Sequence, residues 1–257
     1  MQTAAEGSGL SLDPAQAASL SRFCDLLRDW NGRINLVSRK DIGNLVPNHV
    51  VDSLAALPLL QQLMLSRHSE PVSAPDHRRI YAGEKDRSFE GKAGCATQDD
   101  GKSMGLRVMD LGSGGGFPGI PLKICLPGMR ITFVEATQKK AKFIELAVAE
   151  LGLAETAVIA RHSSELARDP GHRAQYDVVA TRAVAELKEL VKLSFPFLKP
   201  GGRLLAYKAS KADEEIAAAH DVVKKSRGVI EPAPALPAPP TEKTRRIVVV
   251  RKLPAAR

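Results

Sequence analysis

The chain has 257 residues, room for one large domain with an appendage or for two small ones, and its 44% hydrophobic and 26% charged content is that of a globular protein. No apolar run approaches the ~18 residues a membrane span needs, and the opening "MQTAAEGSGLSLDP" lacks the basic and apolar regions of a secretion signal, which leaves a cytoplasmic protein. The net charge of +8 is uneven: from Lys199 onward 13 basic residues face 6 acidic ones, which suits a phosphate-rich partner or, more plainly, a solvated surface.

Residues 13–30, "DPAQAASLSRFCDLLRDW", predict an amphipathic helix with Asp13 as N-cap and Pro14 at its first position. Leu20, Phe23, Leu27 and Trp30 form its apolar stripe, Trp30 reading as core rather than as a base-stacking platform, and Gly32 ends it. Beyond it, Asn35 and Ser38 are placed to make a turn hydrogen bond. A second helix is expected from Val50 to about Leu65, with His49 and Asp52 an i,i+3 pair. Residues 1–65 thus read as an N-terminal helical cap.

Residues 66–105 have few aliphatics, many turn formers and balanced charge, and read as a flexible polar insertion. His68 and His77 within it lack ligand spacing, and Cys24, Cys95 and Cys125 are scattered, so reduced thiols and no metal are expected.

From residue 106 to 257 strands and helices alternate. Strands are predicted at Arg107–Leu111, Arg130–Val134, Ala157–Ala160, Asp177–Ala180, Arg203–Tyr207 and Arg246–Val250. Helices are predicted at Ile120–Leu126, Lys139–Leu151, Ala185–Phe195 and Asp213–Lys225, and "PAPALPAPP" is a stiff connection before the last strand. This pattern implies an α/β domain whose mostly parallel sheet is covered on both faces and binds ligand beyond the carboxyl ends of its strands.

The first predicted strand runs into "VMDLGSGGGFPGIPLKI", which carries five glycines in seventeen residues. A phosphate-binding P-loop is excluded, because no Lys-Ser/Thr pair closes the loop. Gly114, Gly116 and Gly119 satisfy a dinucleotide fingerprint, but so glycine-rich a stretch satisfies many templates, and Pro118 lacks a donor where a pyrophosphate would need one. Asp110 followed by Gly112, Gly114 and Gly116 fits S-adenosyl-L-methionine, whose ammonium seeks a carboxylate and whose carboxylate seeks a helix N-terminus. Glu135, closing the second strand, would accept the ribose hydroxyls. A tight turn with a helix cap is the plain structural alternative.

With "WNGRINLVS", "HVVDSL", "ATRAVAEL" and "LLAYKAS", the glycine segment resembles the bacterial ribosomal RNA small-subunit methyltransferase G family, also called glucose-inhibited division protein B, over some 200 residues. The resemblance implies a class I S-adenosylmethionine methyltransferase fold, Rossmann-like, with a mostly parallel seven-stranded sheet. It implies methylation of a guanine N7 in the 530 loop of small-subunit (16S) ribosomal RNA, with S-adenosyl-L-methionine as cofactor. The expected partner is 16S rRNA or the small subunit, and the protein is expected to be a monomer.

Carried over by position, Gly112 and Phe117 match cofactor-loop contacts, Glu135 the ribose acid, His162 and Ser163 contacts at the adenosine end, and Arg182 a contact near the transferred methyl. Asn35, Ser38, His49 and Asp52 match cap motifs, and Lys139, Arg161 and Lys208 match basic positions facing RNA or cofactor. The site expected on this basis has Arg182 and Lys208 as catalytic residues and Asp110, Gly112, Gly114, Phe117, Glu135, His162, Ser163 and Arg182 on the cofactor. One departure is "RHSSE", which puts Ser163 where the family has a carboxylate; either Glu165 swings in, or Ser163 and backbone groups read the adenine.

Guanine N7 carries a lone pair and no proton, so in-line geometry rather than a general base is required. There is no Asn-Pro-Pro-Tyr-type segment for amino-group methylation and no Pro-Cys setting for attack on a pyrimidine ring. Arg182 either contacts guanine O6 or a phosphate, or pairs with Glu186 one turn on. The competing functions are a methyltransferase for tRNA or a small molecule, a non-catalytic RNA-binding module, and a nicotinamide-linked oxidoreductase.

Overall fold

The computed structural model describes residues 11–69, 105–232 and 246–255. Helix α1 (Pro14–Asn31) starts at a reciprocal cap: the Asp13 carboxylate accepts from the Gln16 backbone N–H, and the Gln16 amide oxygen accepts from the Asp13 N–H. Its buried stripe holds Leu20, Phe23 and Leu27. Trp30 packs half-buried 6.0 Å from the Phe143 ring, as a core residue would.

The turn after α1 differs from the expected Asn35–Ser38 bond. Asn31 Oδ1 accepts from both Leu36 and Val37 N–H, while Ser38 donates to Asp41. An Asn at the helix end reaches the following amides directly, so no later side chain is needed. A short turn (Ile42–Asn44) precedes the segment where a single helix from Val50 to Leu65 is expected, and that helix is broken: a turn over Val46–Val51 leads into α2 (Asp52–Leu54), and α3 (Leu57–Ser69) follows. Pro58 lacks the N–H that a continuous helix would return to the preceding turn, and the break falls there.

The segment 66–105 lies outside the described residues from 70 to 104, as do His77, Cys95, the side chain of His68 and the proline-rich connection from 233.

The sheet strands are β1 (Arg107–Leu111), β2 (Arg130–Val134), β3 (Thr156–Ile159), β4 (Tyr176–Arg182), β5 (Leu198–Lys208), β6 (Gly228–Glu231) and β7 (Arg246–Lys252). Between them lie α4 (Gly119–Cys125), α5 (Gln138–Glu150), α6 (Ser163–Leu166), α7 (Leu187–Ser194) and α8 (Ala212–Lys225). The spatial order is β3-β2-β1-β4-β5-β7-β6, all neighbours parallel except β7, which runs against both β5 and β6. This is the Rossmann-like, mostly parallel seven-stranded sheet of the class I methyltransferase fold. β6 was not among the predicted strands, because "GVIE" is too short and too polar to stand out from a loop.

Alternate strand residues feed two cores. Val108, Ile131, Phe133, Val178 and Leu205 pack with Leu20, Phe23 and Leu27 of α1, so the helical cap shares its core with one face of the sheet. Met109, Leu111, Val134, Val179 and Leu204 pack on the other face against α7 and α8. The helix after β1 therefore leaves toward the cap, and the helix after β4 toward the opposite face. Between neighbouring β1 and β4 this reversal opens a crevice at the carboxyl ends, where α/β sheets bind ligands.

Candidate active site

The glycine loop, residues 112–118, spans that crevice. Its first amides, Gly112 and Ser113, donate to Val134 O, so the loop is strapped across the end of β2. Gly112 has φ +76°, and a Cβ there would meet the Val184 side chain at 2.5 Å. Gly119 has no room either: a Cβ would lie 2.5 Å from Asp110 Oδ2 and from the Phe133 ring. Glycine at these two positions is a steric requirement.

The two carboxylates organise the loop from below. Asp110 Oδ2 accepts from Gly119 N–H at 2.9 Å, fixing the start of α4. Asp110 has no accessible surface, and its Oδ1 has no hydrogen-bond partner among the described residues. Asp110, expected to meet the ligand, is thus sealed beneath the loop that it shapes. Burial pushes its carboxyl up to about 7, with the Gly119 and Ser113 hydrogen bonds and Arg182 pulling down and the Glu135 charge pushing up.

Glu135 stands higher. Its Oε2 accepts from Gly114 N–H at 2.9 Å and its Oε1 from Thr137 N–H at 2.8 Å, and its own N–H donates to Ile159 O. It therefore bridges the glycine loop, the start of α5 and the end of β3. A carboxylate has about four acceptor sites, so two remain for hydroxyl donors. His162 and Ser163 follow β3 at the same sheet edge, His162 exposed and Ser163 half-buried as the first residue of α6. Glu165 does not swing in; its exposed carboxylate lies 4.0 Å from Arg161.

On the cap side, Arg182 at the end of β4 is held from three directions. Its Nε pairs with Asp52 Oδ2 at 3.0 Å, another guanidinium nitrogen donates to Asn48 O at 2.6 Å, and the group lies 5.9 Å from the Phe117 ring. The anticipated Arg182–Glu186 pair does not form; Glu186 pairs with Lys188 in solvent. The cap side also carries His49. His49 Nε2 lies 3.9 Å from Asp41, and its ring packs 5.0 Å from Phe117. Phe117 points into the cap, 5.2 Å from Phe23, so its side chain anchors the loop instead of lining an open pocket.

Lys208 also differs from expectation. Its ammonium donates to Ala185 O at 2.6 Å and pairs with Glu215 at 2.7 Å, with the side chain 7% exposed. It is committed to the loop after β4 and does not face an open site. Nothing in the local sequence singles out Glu215, which sits in an acidic helix start, "DEE", of the kind that only complements a helix dipole.

The site fits an S-adenosylmethionine cradle on three counts: two carboxylates beneath a glycine loop, spare acceptor capacity on Glu135, and a buried Asp110 oxygen whose negative charge favours a sulfonium and an ammonium over a pyrophosphate.

Comparison with known proteins points the same way. A family model described as GidB, rRNA small subunit methyltransferase G, matches residues 16–65 and 95–242. The chain belongs to this family. Among its relatives, the ribosomal RNA small subunit methyltransferase G of Roseiflexus castenholzii (strain DSM 13941 / HLO8) is 34% identical over 246 residues, covering 96% of this chain and 88% of that protein. The same-named protein of Pelotomaculum thermopropionicum is 43% identical over 149 residues, covering 58% of this chain and 62% of its own. That of Geobacillus kaustophilus is 30% identical over 252 residues, 98% of this chain and 89% of the relative. Membership makes this chain an S-adenosylmethionine-dependent methyltransferase.

The charge distribution of this methyltransferase needs revision as well. Much of the basic C-terminal quarter is consumed internally: Lys199, Arg203, Lys208, Arg246 and Arg251 pair with carboxylates, and Arg227 and Lys252 with carbonyls. Arg161 on the β3 side lies 3.5 Å from Asp169. Lys139 and Lys142 on α5, four and seven residues after Glu135, are exposed and in no ion pair among the described residues.

Proposed function

We propose that the protein methylates N7 of a guanine in the 530 loop of 16S rRNA, acting in the cytoplasm as a monomer on RNA or on the small subunit. The observation that carries this reading is the Glu135 carboxylate tied to Gly114 and Thr137, which holds a donor cradle beside a cap-anchored arginine. The relatives' names supply the RNA, and the guanine and its atom are what the family resemblance implies.

When bound, S-adenosylmethionine supplies an electrophilic methyl on a cationic sulfur. The chain then needs no proton acceptor, because the attacking nitrogen carries none. Glu135 accepts the ribose hydroxyls, and backbone groups around His162 and Ser163 read the adenine, since Ser163 replaces a carboxylate and Glu165 is turned toward Arg161. The first amides of α4 are already engaged, Gly119 with Asp110 and Ile120 with Gly116 O, which leaves the amino-acid carboxylate to other groups of the glycine loop. Arg182, fixed by Asp52 and Asn48 O, orients the guanine O6 edge or a flanking phosphate. Lys139 and Lys142 meet RNA phosphates at the mouth. Changing Arg182 to Ala should depress methyl transfer far more than donor binding. Equal losses in calorimetry and turnover would remove it from the chemistry.

A further inference from the structure

The loop between β4 and α7, residues 183–186, is held by a device that the methyl-transfer reading leaves unused. Ala183 has φ +56°, a conformation that L residues rarely adopt and that persists only when the surroundings enforce it. The next residue, Val184, is 42% exposed yet fills the space above Gly112. Two side chains enforce this shape. Lys208 Nζ donates to Ala185 O at 2.6 Å, and Glu215 Oε2 accepts from Leu187 N–H at 2.8 Å. The two are joined to each other at 2.7 Å. Carbonyl 185 and amide 187 are thus gripped by one ion pair whose halves come from β5 and from the first turn of α8.

We propose that Glu215 is a positioning residue: with Lys208 it clamps the loop after β4 so that Val184 forms the wall of the donor crevice against Gly112. The role assigned to the wall rests on the methyltransferase reading; the clamp itself does not. An exposed apolar side chain at the switch point of the sheet is of little use as packing. Seated on a loop glycine, it narrows the crevice and sets the line along which acceptor meets donor. Glu215 touches neither, and acts through Leu187 and Lys208.

The test has two arms. Hydrogen exchange on the protein without ligand is expected to show amides 184–187 exchanging at least tenfold faster in Glu215→Ala, with β1 and β4 unchanged. Unaltered protection would overturn the clamp. In methyl-transfer assays on small-subunit RNA, Glu215→Gln retains an acceptor for Leu187 but loses the pair with Lys208. It is expected to lower kcat about tenfold while shifting the donor KM less than twofold. In a Val184→Ala background the same change is expected to cost under twofold, because the two act through one wall. Additive losses in the cycle would overturn the role of Val184. If wild-type protein methylates no ribosomal RNA while the exchange result holds, the functional reading fails and the clamp stands.

Discussion

Asp110 shows how one buried atom can carry a pH signature. Its carboxyl titrates near 7 in the fold against an ordinary 3.8, so between these values the native protein holds a proton that the unfolded chain has released. Stability therefore falls as pH rises through that window, and the cost is complete above about 7. In Asp110→Asn that slope disappears: the Tm of the variant minus that of wild type is expected to rise from pH 4.5 to 8, and a flat difference would refute the assignment. The charged form is also the one that attracts a cationic donor. Affinity of wild type for S-adenosylmethionine, relative to Asp110→Asn, is expected to strengthen from pH 6 to 8 by calorimetry. Glu135→Gln is a harsher change. A carboxamide sets an NH2 against one of the two amides that Glu135 now satisfies, and leaves fewer acceptors for a ribose. Donor affinity is expected to drop 10- to 100-fold, or about 1.5–3 kcal/mol, and an unchanged Kd would dissociate Glu135 from the cofactor.

At the scale of elements, the decisive joint is between the cap and β4. Asp52 is 5% exposed and faces Arg182, itself tied to Asn48 O, and Tyr207 on β5 donates to Ser53 O. Removing either charge leaves the other buried, which typically costs about 3–5 kcal/mol. Asp52→Asn and Arg182→Met are each expected to lower stability to urea by several kcal/mol on that scale, and the double variant by clearly less than their sum. Additive losses would show that the pair is not the joint. This contact also marks what could be read in advance. β1 and β2 were legible to the residue because short, largely apolar runs between turn signals mark buried strands. The cap helix was legible from its stripe and Asp13. The Arg182–Asp52 pair joins positions 130 residues apart, and the Lys208–Glu215–Leu187 arrangement joins three elements. Neither leaves any period in the sequence, so local reasoning could offer Arg182 only Glu186, the acid one turn on, as an alternative to a ligand contact. Asp110 and Glu135 were found from strand ends. The division of labour between them, one sealed and one buried but 8% exposed, depends on how the loop folds back over β1.

For the molecule as a whole, net charge misleads unless ion pairs are subtracted. The basic count after Lys199 points to the C-terminal quarter, yet seven of those cations are engaged by carboxylates or carbonyls, whereas Lys139 and Lys142 on α5 are exposed. Each phosphate contact contributes about 0.7–0.9 to the slope of log affinity against log salt. Replacing Lys139 and Lys142 with Ala is therefore expected to weaken binding to 16S rRNA and to reduce that slope by between one and two. An unchanged slope would move the RNA to another face. The most direct test of the functional account is to incubate purified small subunits and deproteinised 16S rRNA with the protein and methyl-labelled S-adenosylmethionine, then map the modified base. Label on N7 of one guanine in the 530 loop, lost in Glu135→Gln, is the expected result. Label elsewhere, or none on either RNA with a bound donor, would contradict it.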